Sequence, residues 1–237
     1  MNYEIILIDM DNTLLDFNAA EKKAHKTASA LLGARWSEDL YKRYAEINEE
    51  CWKQYEKGKL KREDITVLRY ARYLDEIGEN KDPVVFDKTY RQALSCGRQR
   101  KKGATATVKA LKKTGADIYI ATNGISAVQK SRLNGQPFMK YVSGVFNSED
   151  MGAPKPEEAF FRRAEEISGL KFGKETIIIG DSLSSDIKGG INAGIDTCWY
   201  NPDNLPVPSD MKITYVANVL TDIPEILSRN DRNDRRY

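Results

Sequence analysis

Residues 3–16 read YEIILIDMDNTLLD. Residues 3–8 are largely apolar and rich in Ile, without the strict alternation of a half-exposed strand. They predict a short strand buried on both faces. The run breaks off at Asp9-Met10-Asp11-Asn12-Thr13, which places a polar cluster at the carboxyl end of that strand.

Outward from this point the chain changes character twice. Residues 19–100 carry helical patterns punctuated by glycine. One stops at Gly33. The next opens on Ser37 as N-cap and stops at Gly58, with Leu40, Tyr44, Ile47, Cys51 and Tyr55 at three- and four-residue spacing. A third covers about Arg62 to Ile77, and a fourth opens at Asp82-Pro83 and stops at Gly97. Cap residues, Pro at the first helical position and terminal glycines mark these boundaries. Four helices with no intervening strand predict a small antiparallel bundle. From Gly103 helices alternate with short buried strands at Asp117–Ala121, Gly144–Phe146, Thr176–Ile179, Asp196–Trp199 and near Ile213–Val216, the pattern of βα repeats on a parallel sheet. The expected architecture is a doubly wound α/β core over 1–16 and 101–228, an inserted all-helical cap over 17–100, and a flexible tail over 229–237.

Composition narrows the function classes. The 237 residues are 41% hydrophobic and 30% charged, with a formal net charge of +2. The last ten residues hold four Arg and two Asp, and the remainder holds 33 basic and 33 acidic residues. The basicity therefore belongs to the tail, and the folded part has no net field to attract nucleic acid. No stretch approaches the roughly 18 apolar residues of a membrane span, and the amino terminus lacks a signal-peptide pattern. Cys51, Cys96 and Cys198 are odd in number and far apart, which suggests reduced thiols in a cytoplasmic protein. The single histidine, His25, lies in a polar helical stretch. A histidine triad or histidine-rich metal site is excluded by number, leaving carboxylates, Lys, Ser/Thr or Cys for any chemistry.

In doubly wound sheets ligands bind beyond the carboxyl ends of the strands. The residues at those ends are Asp9, Asp11 and Thr13; Thr122 and Asn123; Lys155; and Asp181 and Asp186. Three carboxylates drawn together repel one another. A hard cation such as Mg²⁺, which favours carboxylates, water and substrate phosphate, resolves that repulsion. Thr122, Asn123, Gly124 and the turn at Asn12 and Thr13 offer hydroxyl and backbone N–H donors to phosphate oxygens, and Lys155 adds a fixed positive charge. An Asp can act as the nucleophile and carry an aspartyl phosphate. Asp11 is placed to protonate the leaving oxygen and then to deprotonate water.

DMDNTLLD at 9–16, ATNG at 121–124, Lys155 in GAPKPEEAFF and GDSLSSD at 180–186 together resemble, in order, the four motifs of the haloacid-dehalogenase-like hydrolase superfamily, with Asn12 where its first motif has Gly. The resemblance covers the whole α/β core and implies a Rossmann-like fold with a helical cap and Mg²⁺ as cofactor. It implies Asp9 as nucleophile and metal ligand, and Asp11 as general acid/base with its backbone carbonyl on the metal. Thr122 and Asn123 would bind phosphate, Lys155 would stabilise its charge, Asp181 would bind the metal, and Asp186 would orient Lys155 or a metal-bound water. The acid at position 11 points to a phosphatase branch. GDSLSSDIKGGINAGIDTCWYN together with DMDNTLLDF is further similar to bacterial pyrimidine nucleotide 5′-nucleotidases of that superfamily, which implies a small phosphorylated metabolite, a nucleoside monophosphate, as substrate and a monomer or homodimer.

Blander readings stand beside these. Asp9 and Asp11 are also turn formers, the Thr122-Asn123-Gly124 stretch is also a plain turn, Lys155 a solvated loop lysine and Asp186 a helix-terminal charge. Tyr41, Tyr44, Trp52, Tyr55, Tyr70, Tyr73 and Phe86 fit the bundle's own core better than a base-stacking platform. Phe17 and Asn18, where the chain enters the insertion, are better placed to meet a leaving group. The competing functions are a sugar-phosphate or phosphoglycolate phosphatase, a phosphomutase, and a receiver-like module that accepts phosphate without turnover.

Overall fold

The structure is a computed structural model and describes residues 3–228; the tail expected at 229–237 lies outside the described residues. The chain forms two compact units. One comprises Met1–Asp16, Arg100–Ser126 and Leu133–Tyr237, so far as they are described, and the other Phe17–Gln99 and Ala127–Arg132.

The first unit is built on six parallel strands: β1 (Ile5–Ile8), β2 (Asp117–Thr122), β3 (Gly144–Asn147), β4 (Thr176–Gly180), β5 (Asp196–Tyr200) and β6 (Tyr215–Ala217). Their order is β3-β2-β1-β4-β5-β6. The first strand of the chain is thus central, with Ile8 in register with Ile120 on one side and Ile179 on the other. Its side chains alternate between two cores. Ile6 and Ile8 pack with Ile118, Ile120, Ile177 and Ile179, while Ile5 and Leu7 join Phe146, Phe160, Phe161 and Ile178. Burial on both faces is what the unalternating apolar run demanded. The chain order reverses direction at β1, so the crevice expected of such sheets opens at the ends of β1, β2 and β4.

The helical unit begins with α1 (Phe17–Leu31), α2 (Glu38–Glu56), α3 (Arg62–Glu76) and α4 (Pro83–Ser95). Ser37 caps α2 through Leu40 N–H, and Asp82 caps α4 through Val84 and Val85 N–H, each satisfying donors the first turn leaves open. Ala20, Ala24 and Ala28 line the buried face of α1. The unit also takes in residues 127–132, beyond the 17–100 expected from sequence. Ser131 Oγ donates to Ser95 O and Arg132 Nε to Gly97 O, so two carbonyls left over at the end of α4 find their partners there.

The sequence places His25 in a polar helix face; the structure corrects this. His25 is fully buried, stacked on Tyr44 at 4.3 Å and edge-on to Tyr73 at 5.0 Å. Its ring nitrogens lie 3.3 Å from the Tyr70 and Tyr73 hydroxyls. The aromatic partners come from α2 and α3, far along the chain, so the local pattern did not reveal the burial. Tyr44, Tyr70, Tyr73 and Phe86 form this core, as expected. Burial pulls the His25 pKa down to about 4 from an ordinary 6.5. The folded protein binds the proton less tightly than the unfolded chain, so the contribution to stability is present above pH 6.5 and is lost as pH falls toward 4. As pH falls across that window the urea midpoint of the unsubstituted protein should drop relative to that of His25→Phe, which lacks the titrating ring. A difference between the two proteins that stays constant with pH would remove His25 as a source of pH dependence.

Of the remaining helices, α5 (Ala104–Lys112), α6 (Ser126–Leu133), α7 (Ser148–Met151), α8 (Glu158–Ser168) and α9 (Lys188–Asn192) lie on the connections between strands, and α10 (Ile223–Ser228) follows β6. Between β4 and β5 the chain makes a wide π-helical turn at Leu183–Ile187 and then α9. The wide turn brings Asp186 back against β4, where its Oδ2 accepts from Ser182 N–H. Gly190 then lies so close to the sheet that an added Cβ would come within 2.6 Å of Ile178 and Thr197.

Candidate active site

Every candidate residue of the α/β unit sits at, or on the connection leaving, the carboxyl end of β1, β2, β3 or β4. After β1 the backbone turns sharply. Leu14 and Leu15 N–H both donate to Met10 O, and Asn12 adopts a left-handed conformation with φ of 56°. Asn tolerates that region better than other side-chain-bearing residues, which explains how it stands where the resembling motif has Gly. Asp11 and Asn12 are half-buried at this turn. Thr13 is fully buried. Its hydroxyl donates to Asp181 Oδ1 at 3.1 Å and accepts from Asp181 N–H at 3.1 Å. The side chain expected among the phosphate donors therefore holds the carboxylate of the next strand instead. Trp199 Nε1 donates to Asp181 O at 2.9 Å, so Asp181 is fixed through both its side chain and its backbone.

Lys155 is 1% exposed and its Nζ is the centre of the cluster. It lies 2.8 Å from Asp9 Oδ1, 2.6 Å from Asp186 Oδ1 and 2.6 Å from Ala121 O. Three N–H donors thus meet three acceptors and fix the ammonium. Burial opposes the Lys155 charge, but Asp186 and Asp9 outweigh it and hold its pKa above the ordinary lysine value. Asp9, Asp181 and Asp186 each bring a carboxylate oxygen within 4.8 Å of the others. Burial, reinforced by the Asp186 charge, pushes the Asp9 carboxyl well above the usual range even though Lys155 pulls it down. The Asp181 carboxyl is pushed to about 7 by burial and then by Asp186. Three carboxylates facing one ammonium leave excess negative charge with oxygen donors only, and this donor set fits Mg²⁺. The compact carboxylate trio contains Asp186, already paired with Lys155, where the sequence reading placed Asp11 beside Asp9 and Asp181.

Thr122 is buried at the end of β2, and its hydroxyl accepts from Gly124 N–H at 3.2 Å. The Asn123 side chain turns to Lys155: Nδ2 donates to Lys155 O at 2.8 Å and Oδ1 accepts from Lys155 N–H at 2.9 Å. Both ends of the Asn123 side-chain amide are thus engaged by the Lys155 backbone. Phe17 and Asn18 open α1 in the other unit. The Phe17 ring centroid is 5.7 Å from the Arg132 guanidinium, and Asn18 O accepts from Tyr41 OH.

Sequence reading missed Asn147, Ser148, Trp199 and the strict need for Gly180. Asn147 Nδ2 donates to Gly124 O and Ser148 Oγ to Asn123 O. A Cβ on Gly180 would lie 2.2 Å from Asp186 Oδ2. Gly180→Ala should push Asp186 off Lys155 and lower kcat about 100-fold, the scale of a 1 Å misplacement. It should also lower the urea midpoint, because it crowds Asp186 Cγ and Cβ and breaks a buried ion pair. Steady-state kinetics of the variant checks this, and full activity would show that Asp186 has room to move.

The sequence matches the family described as haloacid dehalogenase-like hydrolase over residues 3–194. It is 37% identical to pyrimidine 5′-nucleotidase PynA of Streptococcus pneumoniae, covering 97% of both chains, and 26% identical to pyrimidine 5′-nucleotidase YjjG of Escherichia coli, covering 97% of this chain and all of the relative. The crystal structure of the HAD-hydrolase YfnB of Bacillus subtilis bound to magnesium superposes with a TM-score of 0.89 at 35% identity, covering 95% of this chain and 99% of that one. Family match, near-complete coverage and the order of the four strand-end clusters agree: the chain belongs to the haloacid dehalogenase-like hydrolases.

Proposed function

We propose that this chain is a magnesium-dependent phosphatase that hydrolyses small phosphomonoesters through an aspartyl phosphate on Asp9, with pyrimidine nucleoside 5′-monophosphates as substrates. The observation that carries the reaction class is the pairing of a buried Asp9 with Lys155 at 2.8 Å beside Asp181 and Asp186. The substrate class is supported by two full-length relatives that are pyrimidine 5′-nucleotidases.

In this reading an Asp9 oxygen forms a bond to phosphorus as the bond to the leaving alcohol oxygen breaks. Asp11 delivers the proton that this oxygen needs. Water then attacks the aspartyl phosphate with Asp11 accepting its proton, which frees inorganic phosphate and restores Asp9. Lys155 holds Asp9 in place and balances charge on the transferred group. Asp9 and Asp181, with the Asp11 carbonyl, would hold the magnesium, which when bound supplies the positive charge that lets a carboxylate approach a phosphate dianion. Thr122 and the backbone N–H groups at Asn12 and Asn123 would receive the phosphate oxygens.

Phosphate release from UMP, dUMP, dTMP, purine nucleotides, sugar phosphates and phosphoglycolate with Mg²⁺ tests the proposal. Preference for the pyrimidine monophosphates supports it. Preference for phosphoglycolate or a sugar phosphate would replace the substrate class, and a sugar bisphosphate requirement would indicate a mutase. Phe17 and Asn18 are proposed to meet the leaving group, because they are the first residues after the chain leaves the catalytic unit. Phe17→Ala should raise KM for UMP roughly tenfold, the scale of one lost base-stacking contact, while leaving KM for p-nitrophenyl phosphate unchanged. An equal change for both esters would remove Phe17 from base recognition.

A further inference from the structure

The root of Lys155 is held as firmly as its tip, and by a single side chain. The tip makes three hydrogen bonds, to Asp9, Asp186 and Ala121 O. The root lies between α7 and α8, in a connection without regular secondary structure to fix its backbone. There the planar amide of Asn123 accepts from Lys155 N–H at 2.9 Å and donates to Lys155 O at 2.8 Å. Donor and acceptor side by side reproduce the edge of a neighbouring strand, so both backbone groups of Lys155 are satisfied as in a sheet ladder. Asp at this position would offer no donor, and Ala would offer neither group. Asn123 is anchored in turn. Its own carbonyl accepts from Ser148 Oγ at 3.2 Å, and the next carbonyl, of Gly124, accepts from Asn147 Nδ2 at 2.8 Å. Ser148 and Asn147 are both buried where β3 passes into α7.

We infer that Asn123 is a positioning residue for Lys155: its side-chain amide clamps the lysine backbone so that the ammonium reaches Asp9 and the transferred phosphoryl group, and its effect on phosphate is exerted through Lys155. The assignment rests on the phosphatase reading above. A long flexible side chain delivers its charge accurately only if its attachment point is fixed, and a shift of about 1 Å at a reacting group costs on the order of 100-fold in rate. Ser148 supports the clamp one bond further out.

A double-mutant cycle between Asn123→Ala and Lys155→Met separates action through Lys155 from direct contact with phosphate. Inorganic phosphate binding in the presence of Mg²⁺, measured by calorimetry, provides the readout without requiring turnover, and kcat for UMP or the best ester provides a second. Asn123→Ala should weaken phosphate binding about tenfold and lower kcat 10- to 100-fold in the Lys155 background, and change phosphate affinity less than twofold in the Lys155→Met background. Ser148→Ala should show the same dependence on Lys155 with a smaller effect, and serves if Asn123→Ala folds poorly. Equal losses in both backgrounds would make Asn123 a direct phosphate ligand and overturn the assignment. So would losses that merely follow the folded fraction seen in thermal melts. If the unsubstituted protein released phosphate from no ester, the phosphatase reading itself would fall; turnover by that protein with an additive cycle would defeat only the role of Asn123.

Discussion

Asp9→Asn should abolish phosphate release, by at least about 10⁴-fold in kcat as expected for a lost nucleophile, and at the same time make the metal-free protein more stable. The two effects have one cause. Asp9 is 7% exposed and lies within reach of Asp181 and Asp186. Burial and these neighbours make its ionised form costly in the fold, and Lys155 offsets only part of that cost. Asp181 shares the burden, its carboxyl rising from 3.8 to about 7. A carboxyl that holds its proton more tightly when folded contributes stability that is complete below about pH 4. That contribution is lost as pH rises through the folded value. Between pH 4 and 7 the metal-free protein should therefore lose stability, and Mg²⁺ should return it by binding the folded carboxylates. Neutral Asn removes one buried charge, so at pH 7.5 with a chelator the variant should melt several degrees higher, and Mg²⁺ should raise its Tm less than it raises that of the unsubstituted protein. Thermal melts with and without Mg²⁺, beside a phosphate-release assay, read all three outcomes. Residual turnover above about 1% would remove Asp9 as nucleophile, and a lower Tm in the variant would mean that the Lys155–Asp9 pair outweighs the repulsion.

Residue type and position carried much of this site in the sequence, and the reasons are local. An unalternating run such as residues 5–8 has one stable environment, a strand covered on both faces, and each strand's carboxyl end then follows from where its apolar run stops. Asp9, Thr122 and Asp181 could be placed at one edge on that ground. What could not be read is which partner each polar side chain would take. Thr13 and Asp181 are 168 residues apart, and Asn123 and Lys155 are 32 apart. A hydroxyl or amide at a strand end is chemically competent to meet phosphate or to brace a neighbour, and only the three-dimensional register decides. Thr13 and Asn123 both brace neighbours. His25 shows the same limit in the helical unit: its own helix is mostly polar in sequence, and its aromatic surroundings come from other helices. Trp199 and Ser148 carry no motif, since a single hydrogen bond to a carbonyl leaves no spacing signature.

Asp87→Ala should be the most damaging single change to stability outside the α/β unit, costing about 3–5 kcal/mol. Arg69 and Asp87 are each 2% exposed and in contact at 2.5 Å, with Arg91 on the second Asp87 oxygen. The guanidinium continues to Asn48 Oδ1, Asn48 Nδ2 to Glu21 Oε1, and Tyr41 OH to Glu21 Oε2, so one polar chain ties together all four helices. Removing Asp87 strands a cation where water does not reach, and the lost partner cannot be replaced by hydration. For a chain of this size that corresponds to a fall in Tm on the order of 10 °C. Removing both charges is a different experiment. Arg69→Met with Asp87→Leu fills similar volume without leaving a buried ion, so the double variant should be more stable than Asp87→Ala. It should remain below the unsubstituted protein, because Asn48 loses its donor and the Glu21 end of the chain is loosened. Urea denaturation of the unsubstituted protein, Arg69→Met, Asp87→Leu and the double variant measures the coupling. Strict additivity of the two substitutions would mean that the charges are hydrated in solution and that the four helices are held by their aromatic core alone.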